Sequence, residues 1–206
     1  MEKTSISAGP RKRGIETASR RDRKAAKRKT CVISYSLTGN NEALAASLAR
    51  SFDASHLRVV EAGRRTMGTI AVDVVLNRTP RVQVALEEIE QYDLVLFVGP
   101  VWMGQIATPL RACFRELRTR IRSYGFISIC GGADGPNPGL AGELHRRLEL
   151  DPISVVELHI ASLLPPEPKP RRKDTMAYRL NDSDVRKLTD AVVEVLPQHS
   201  SQRSKL

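Results

Sequence analysis

The sequence is poor in cysteine and in aromatic residues, and it lacks long apolar runs. Its three cysteines among 206 residues show no paired spacing, which excludes a disulfide-built scaffold and a zinc ribbon. No run of about 18 apolar residues occurs, so we expect no membrane span. The nine aromatic residues include a single tryptophan, Trp102. The hydrophobic fraction of 41% is nevertheless sufficient for a buried core.

Positive charge is concentrated at the two ends of the chain. Residues 1–29 hold 11 basic and three acidic residues, a net charge of +8, and residues 198–206 add +2. Residues 30–197 hold 20 of each sign and are neutral. We therefore expect a disordered basic tail over 1–29, one folded domain over 30–197 and a flexible tail over 198–206. A neutral domain argues against nucleic acid as a partner, although a basic tail alone can attract anionic polymers or lipids.

The three cysteines are expected to be reduced thiols, which favours a cytoplasmic location. The last three residues, Ser204, Lys205 and Leu206, match a peroxisomal address, which has meaning only in a eukaryotic cell.

Short apolar runs alternate with segments of helical period. The runs predict five buried strands near residues 31–35, 57–60, 93–99, 126–130 and 155–160. Four segments have a helical pattern. The first begins at residue 41, and the second spans 108–122 with Arg111 and Arg115 on its outer face. The third follows Asn137 as its cap, and the last follows Asp182 or Ser183 as its cap. One helix, with a pattern near 84–89, and an irregular loop are expected over 62–90, and a surface connection over 165–172. The alternation predicts an α/β fold, a doubly wound three-layer sandwich.

The loop after the first strand has the composition of a phosphate site. It reads Ser36, Leu37, Thr38, Gly39, Asn40 and Asn41. Hydroxyls, amides and a glycine at the start of a helix can hold an anion without Lys or Arg, because the helix N-terminus offers free N–H groups. An ordinary strand–helix turn with capping residues has the same composition and stays an alternative.

Two further loops follow strong strands. One contains Pro100, Val101, Trp102, Met103 and Gly104, and its tryptophan could stack on a planar ring, cover the core or lie at a subunit interface. The other contains Gly131, Gly132 and Ala133, which allow close approach of the backbone to a ligand or form a flexible turn. In a doubly wound sheet, ligands bind beyond the carboxyl ends of strands.

The first loop, placed after a hydrophobic strand, and Gly99-Pro100-Val101-Trp102 after the third strand resemble the flavodoxin family over about residues 30–197. The resemblance implies a five-stranded parallel sheet in the order 2-1-3-4-5 and FMN as a noncovalent cofactor. It implies that Ser36, Thr38, Asn40 and Asn41, with the backbone of Leu37 and Gly39, hold the FMN phosphate. Val101, Trp102 and Met103 would flank the isoalloxazine ring, and Gly131, Gly132 and Ala133 would approach its pyrimidine edge or opposite side.

Other chemistries of the same architecture lack their residues. No cysteine has an arginine six positions later, and no Gly-Lys-Ser/Thr loop occurs. The four histidines are widely spaced and show no metal pattern, so no metal site is expected. No general acid or base is expected either, because in such a protein the flavin does the chemistry.

We therefore predict an FMN-binding protein that mediates electron transfer, with a redox protein or a small quinone-like molecule as acceptor. The neutral domain differs from the acidic surface typical of flavodoxin carriers. An FMN-dependent NAD(P)H:quinone-type reductase and a flavin-free binding module of the same fold remain alternatives. Apolar residues near Trp102 could also serve a homo-oligomer.

Overall fold

The computed structural model describes residues 28–61, 82–132 and 135–196. The strands are β1 (Thr30–Ser34), β2 (Ser55–Arg58), β3 (Val60–Glu61), β4 (Val82–Gln83), β5 (Leu94–Val98), β6 (Val101–Trp102), β7 (Gln105–Ile106), β8 (Tyr124–Cys130) and β9 (Val155–His159). The helices are α1 (Asn40–Phe52), α2 (Thr108–Leu117), α3 (Leu140–Leu148), α4 (Arg172–Ala177) and α5 (Asp182–Val195), with 3₁₀ turns at Ile89–Gln91 and Ile160–Leu163.

Five strands form one parallel sheet in the spatial order β2-β1-β5-β8-β9. Numbered along the chain, these five strands have the order 2-1-3-4-5, which confirms the predicted topology. Every residue of β1 and β5 is buried, because helices cover both faces of the central strands. This two-sided burial is why the central strands are visible in the sequence as continuous apolar runs.

The sheet separates two apolar layers. On one face, α2 and α3 pack through Leu110, Phe114 and Leu144 against side chains that include Phe97 and Phe126. On the other face, α1 and α5 pack through residues such as Leu44, Leu48, Leu188 and Val192 against Val32, Leu96 and Ile127. Helices on both faces of a parallel sheet are the doubly wound three-layer arrangement that the sequence predicts.

Several predicted helix boundaries are wrong. Helix α2 ends at Leu117 rather than at 122. Helix α3 begins at Leu140 after Gly139, and Asn137 instead donates to the Glu157 carboxylate. Helix α5 is capped by neither Asp182 nor Ser183. Its N-cap is Asn181, whose side chain accepts the Asp184 N–H at 2.9 Å and which completes a capping box with that residue.

The predicted connections differ as well. Part of the stretch 62–90 lies outside the described residues, and within the rest the helical pattern near 84–89 corresponds only to the 3₁₀ turn Ile89–Gln91. Strands β3 and β4 pair antiparallel beside it. The predicted surface connection over 165–172 leads directly into α4. No helix within the described ranges is long and apolar enough to cross a membrane.

Candidate functional site

The three predicted loops meet at the carboxyl ends of β1, β5 and β8. Between them lies a cavity of about 180 Å³. It is lined by Leu37, Thr38, Asn40, Asn41, Pro100, Val101, Trp102, Ile129, Cys130, Gly131, Ile160, Thr175 and Met176. A second cavity of about 410 Å³ shares Val101, Cys130, Gly131, Thr175 and Met176 with the first. Together the two volumes fall within the range of roughly 300–1,000 Å³ that is typical of ligand sites.

The first loop brings the N-terminus of α1 to this cavity. The Ser36 hydroxyl oxygen accepts the Gly39 N–H at 3.0 Å, which closes a tight turn. Gly39 has a φ of +93°, a conformation that favours glycine, and it immediately precedes α1. The first backbone N–H groups of a helix have no partner within the helix. The turn thus leaves Thr38 and the start of α1 at the wall of the cavity.

The side chains of Asn40 and Asn41 are committed to the protein itself. Asn40 donates to the Tyr178 carbonyl at 3.0 Å and accepts the Leu180 N–H at 3.1 Å. Asn41 donates to the Ile129 carbonyl at 3.0 Å and accepts the Ile129 N–H at 2.9 Å. Each amide therefore anchors α1 to a neighbouring segment, and the groups with which these residues can reach a ligand are their backbone N–H groups.

The second loop is a two-residue β-hairpin. Strands β6 and β7 pair antiparallel, and the turn residues Met103 and Gly104 both have positive φ, +52° and +76°. Two positive φ angles match the right-handed twist of hairpin strands. Trp102 is half-buried, lines the cavity and meets Tyr35 edge to face at 5.8 Å. The hairpin therefore positions the single tryptophan at the same cavity as the first loop.

Arg111 of α2 donates hydrogen bonds to this hairpin. The sequence pattern placed it on the outer face of its helix, which is wrong, because the residue is only 2% exposed. Its Nε donates to the Ile106 carbonyl at 3.1 Å, and its Nη2 donates to Gln105 Oε1 at 2.7 Å. The guanidinium therefore satisfies polar groups of β7 that lie close to the core.

The third loop approaches its neighbours closely. A Cβ on Gly131 would lie 2.8 Å from the Thr175 hydroxyl oxygen. A Cβ on Gly132 would lie 2.4 Å from the His159 Cβ, and Gly132 also has a φ of +72°. Both positions require glycine for packing inside the protein. Ala133, the third predicted residue of this loop, lies outside the described residues.

Sequence reasoning missed the part of the wall that comes from the C-terminal third of the chain. Thr175 and Met176 of α4 and Ile160 of a 3₁₀ turn line the cavity with Cys130. The capping pair of α4, Arg171 and Asp174, is the local signal that a helix starts there. Nothing local indicates that this helix reaches the cavity.

The charged side chains near the first loop lie behind that loop and not in the 180 Å³ cavity. No residue that lines the 180 Å³ cavity, among those described, carries a charged side chain. Behind the first loop, Ser34 donates to Glu42 at 2.8 Å, Ser34 and His56 Nε2 are 2.8 Å apart, and Arg58 Nε lies 2.7 Å from Glu42. Burial, opposed by Glu42 and aided by Arg58, lowers the pKa of His56. The cavity itself is therefore a neutral, partly apolar environment.

No protein-family model and no curated protein matches the sequence. Solved structures do match. A flavoprotein in complex with FMN from Lactobacillus acidophilus NCFM is 22% identical, with a TM-score of 0.56 over 63% of this chain and 93% of that chain. A protein assigned as a flavoprotein from Bacteroides eggerthii is 16% identical, with a TM-score of 0.58 over 81% of this chain and 98% of that chain. At these identities the likeness shows the fold, and this chain has the flavodoxin-like fold.

Proposed function

We propose that the protein binds FMN noncovalently in the cavity between its three loops and mediates electron transfer. The observation that carries this proposal is the meeting of a helix N-terminus, the only tryptophan and a glycine-rich strand end at one cavity. The FMN that is bound to the Lactobacillus acidophilus protein of the same fold supports the choice of cofactor.

The first loop suits the phosphate. The Thr38 hydroxyl and the backbone N–H groups at the start of α1 would donate to the phosphate oxygens, with Ser36 fixing the turn. The partial positive charge at a helix N-terminus favours an anion without a basic side chain. Asn40 and Asn41 would contribute through the position of their backbone, because their amides are used elsewhere.

The second and third loops suit the ring system. Trp102 and Val101 provide an aromatic and an aliphatic surface, and Met103 lies at the exposed hairpin turn. Gly131 and Gly132 follow the end of β8 and have no side chains, so a ligand can approach the backbone closely there. Backbone carbonyl and N–H groups can then meet the polar edge of the ring. Pro100 and Gly104 shape the two ends of the hairpin.

The bound flavin would accept and deliver electrons, while the polypeptide orients it and controls its exposure to water. Among the described residues, those that line the 180 Å³ cavity carry no charge, and Arg172 brings a positive charge to the wall of the adjoining 410 Å³ cavity. Because such a site needs no acid or base on the protein, we assign no catalytic residue.

The rim of the site favours an apolar acceptor. Leu37, Met103 and Met176 line the two adjoining cavities and are 40%, 71% and 53% exposed. Exposed apolar groups around a cavity are typical of a contact surface. A small quinone-like molecule or the apolar patch of a redox protein fits this rim, so an FMN-dependent NAD(P)H:quinone-type reductase is the second candidate function.

The visible absorption of the purified full-length protein, before and after incubation with FMN and removal of free flavin, tests the proposal. A flavin spectrum at about one FMN per chain supports it, and a colourless protein rejects it. Oxidation of NAD(P)H in the presence of a quinone then separates the two functions. Catalytic turnover identifies a reductase, whereas reduction only by a separate redox protein identifies a carrier.

A further inference from the structure

Three metal-binding side chains converge on one face of the sheet, at the edge formed by β8 and β9. Cys130 is the last residue of β8, and Glu157 and His159 lie on β9. The strands pair so that Cys130 is opposite His159 and Ser128 is opposite Glu157. Because side chains alternate between the faces of a strand, residues two apart share a face, and the three side chains project together.

The geometry of the three side chains suits a single ion. One thiol sulfur, one carboxylate oxygen and one imidazole nitrogen lie within 4.8 Å of one another. All three residues are partly buried rather than spread over the surface. In zinc sites, ligand atoms lie about 2.0–2.3 Å from the metal, so small rotamer changes are sufficient to bring these three onto one ion.

One ring nitrogen of His159 has no hydrogen-bond partner. Within the described part of the chain, His159 Nε2 and Ser128 Oγ are two of the three buried side-chain polar atoms that lack a hydrogen-bond partner. An unpartnered buried polar atom destabilises the folded protein. Both atoms belong to the strand pair that carries the cluster, and a ligand at this place would relieve the cost for His159.

The Glu157 side chain is already oriented from outside the cluster. The Asn137 backbone N–H and side-chain amide donate to the Glu157 carboxylate. Burial and the Glu157 charge raise the pKa of the Cys130 thiol to about 11, opposed by the backbone at Gly132. Gly132 lies close to the His159 side chain, because a Cβ at this position would approach its Cγ to 2.6 Å. Hydrogen bonds of this kind fix the orientation of ligands in metal sites.

We propose that Cys130, Glu157 and His159 bind one divalent transition-metal ion of the zinc class. Thiolate, imidazole and carboxylate are the three ligand types that zinc uses. With the thiol proton released on binding, a thiolate and a carboxylate balance the two positive charges of the ion, and the site becomes neutral. A neutral site is compatible with its partly buried position.

The cluster is open to a cavity on the side of Cys130. Cys130 lines the 410 Å³ cavity together with Gly131, Gly132 and Asn137. Three protein ligands and one open position are the arrangement of a zinc ion that exchanges water or a small anion. The site adjoins the proposed FMN cavity, which Cys130 also lines, but its ligands come from β8 and β9 and it requires no flavin.

Cobalt titration of the full-length protein without added flavin tests this proposal. We expect one Co²⁺ per chain, a thiolate-to-cobalt charge-transfer band in the near ultraviolet, and displacement of Co²⁺ by Zn²⁺. Cys130→Ser should abolish the band, and His159→Gln and Glu157→Gln should weaken Co²⁺ binding at least about tenfold. His145→Gln, which changes an exposed histidine paired with Asp151, is the matched control and should bind as the wild type does. No charge-transfer band in the wild type, or unchanged binding in Cys130→Ser, overturns the proposal.

A second measurement needs no variant and is therefore independent of folding defects. Cys31 and Cys113 are fully buried, whereas Cys130 is partly exposed. A thiol reagent should therefore modify Cys130 first in the native protein. Zn²⁺ should slow this modification at least about tenfold, and a rate that Zn²⁺ leaves unchanged overturns the proposal.

Discussion

Asn41 and Ile129 exchange two hydrogen bonds across 88 residues of sequence, at 3.0 and 2.9 Å. The buried amide side chain thereby pairs with both backbone groups of a β8 residue and fixes the N-terminus of α1 to the end of that strand. Asn41→Ala leaves the N–H and C=O of Ile129 buried without partners. We expect the free energy of unfolding to fall by about 2–3 kcal/mol, measured by urea denaturation. Gln83→Ala, at an exposed amide, is the control and should have little effect.

Arg111 is expected to matter for both stability and flavin binding. Arg111→Met removes its hydrogen bonds to Ile106 and Gln105 and leaves the hairpin without its support. We expect a loss of about 2 kcal/mol in unfolding free energy and a several-fold weaker affinity for FMN. Arg115→Met, on the exposed side of the same helix, is the matched control. Equal effects of the two variants would contradict the role given to Arg111.

Trp102→Ala tests the ring-binding surface. Loss of the aromatic side chain should weaken FMN and riboflavin binding alike, by about tenfold, because aromatic contacts contribute roughly 0.5–1.5 kcal/mol beyond their buried area. Trp102→Phe should retain most of the affinity. Fluorescence titration of the flavin gives both constants. Unchanged affinities in Trp102→Ala would mean that Trp102 does not contact the ring.

The depressed pKa of His56 predicts acid sensitivity. Burial and Arg58 favour the neutral ring in the folded protein, so below the ordinary pKa of 6.5 the unfolded chain binds a proton that the folded one does not. Stability from this residue is thus present above pH 6.5 and falls as the pH is lowered below it. Urea denaturation at pH 7.5 and 5.5 should show a smaller loss for His56→Gln than for the wild type. An equal loss in both would remove His56 as a cause.

The sequence predicts the sheet well because its central strands are buried on both sides. Strands β1 and β5 can be identified without knowing which strands they pair with, because burial on two faces gives each a continuous apolar run. The positions of Thr38 and Trp102 follow from the same strands, because each lies in a loop directly after one of them. The strand order rests on the family resemblance, and the structure confirms it.

The parts that the sequence does not predict depend on contacts between distant segments. The helical pattern predicts Arg111 on the outer face of α2. Its burial is explained by its hydrogen bonds to the neighbouring hairpin, which the pattern does not reveal. Asn41 is predicted to hold a phosphate, yet its side-chain amide forms hydrogen bonds with the backbone of β8. Cys130 and His159 are 29 positions apart, and the pairing of β8 with β9 places them together.

The loop that would hold the FMN phosphate can be tested separately from the surface that would contact the ring by one conservative change. Thr38→Val keeps the shape of a partly exposed residue that lines the cavity but removes its hydroxyl donor. FMN affinity should fall about tenfold, since hydrogen bonds to charged groups contribute about 1.5–3 kcal/mol, while riboflavin affinity should stay constant. Thr119→Val, at an exposed threonine beyond the end of α2, is the control and should change neither.

Titration of the wild-type full-length protein with FMN and with riboflavin, followed by calorimetry, tests the central claim most directly. A site built from the α1 N-terminus and the Trp102 hairpin should bind one FMN per chain and bind riboflavin at least about tenfold more weakly, because riboflavin has no phosphate for the first loop. No measurable binding of FMN, or equal affinities for the two flavins, would contradict the account.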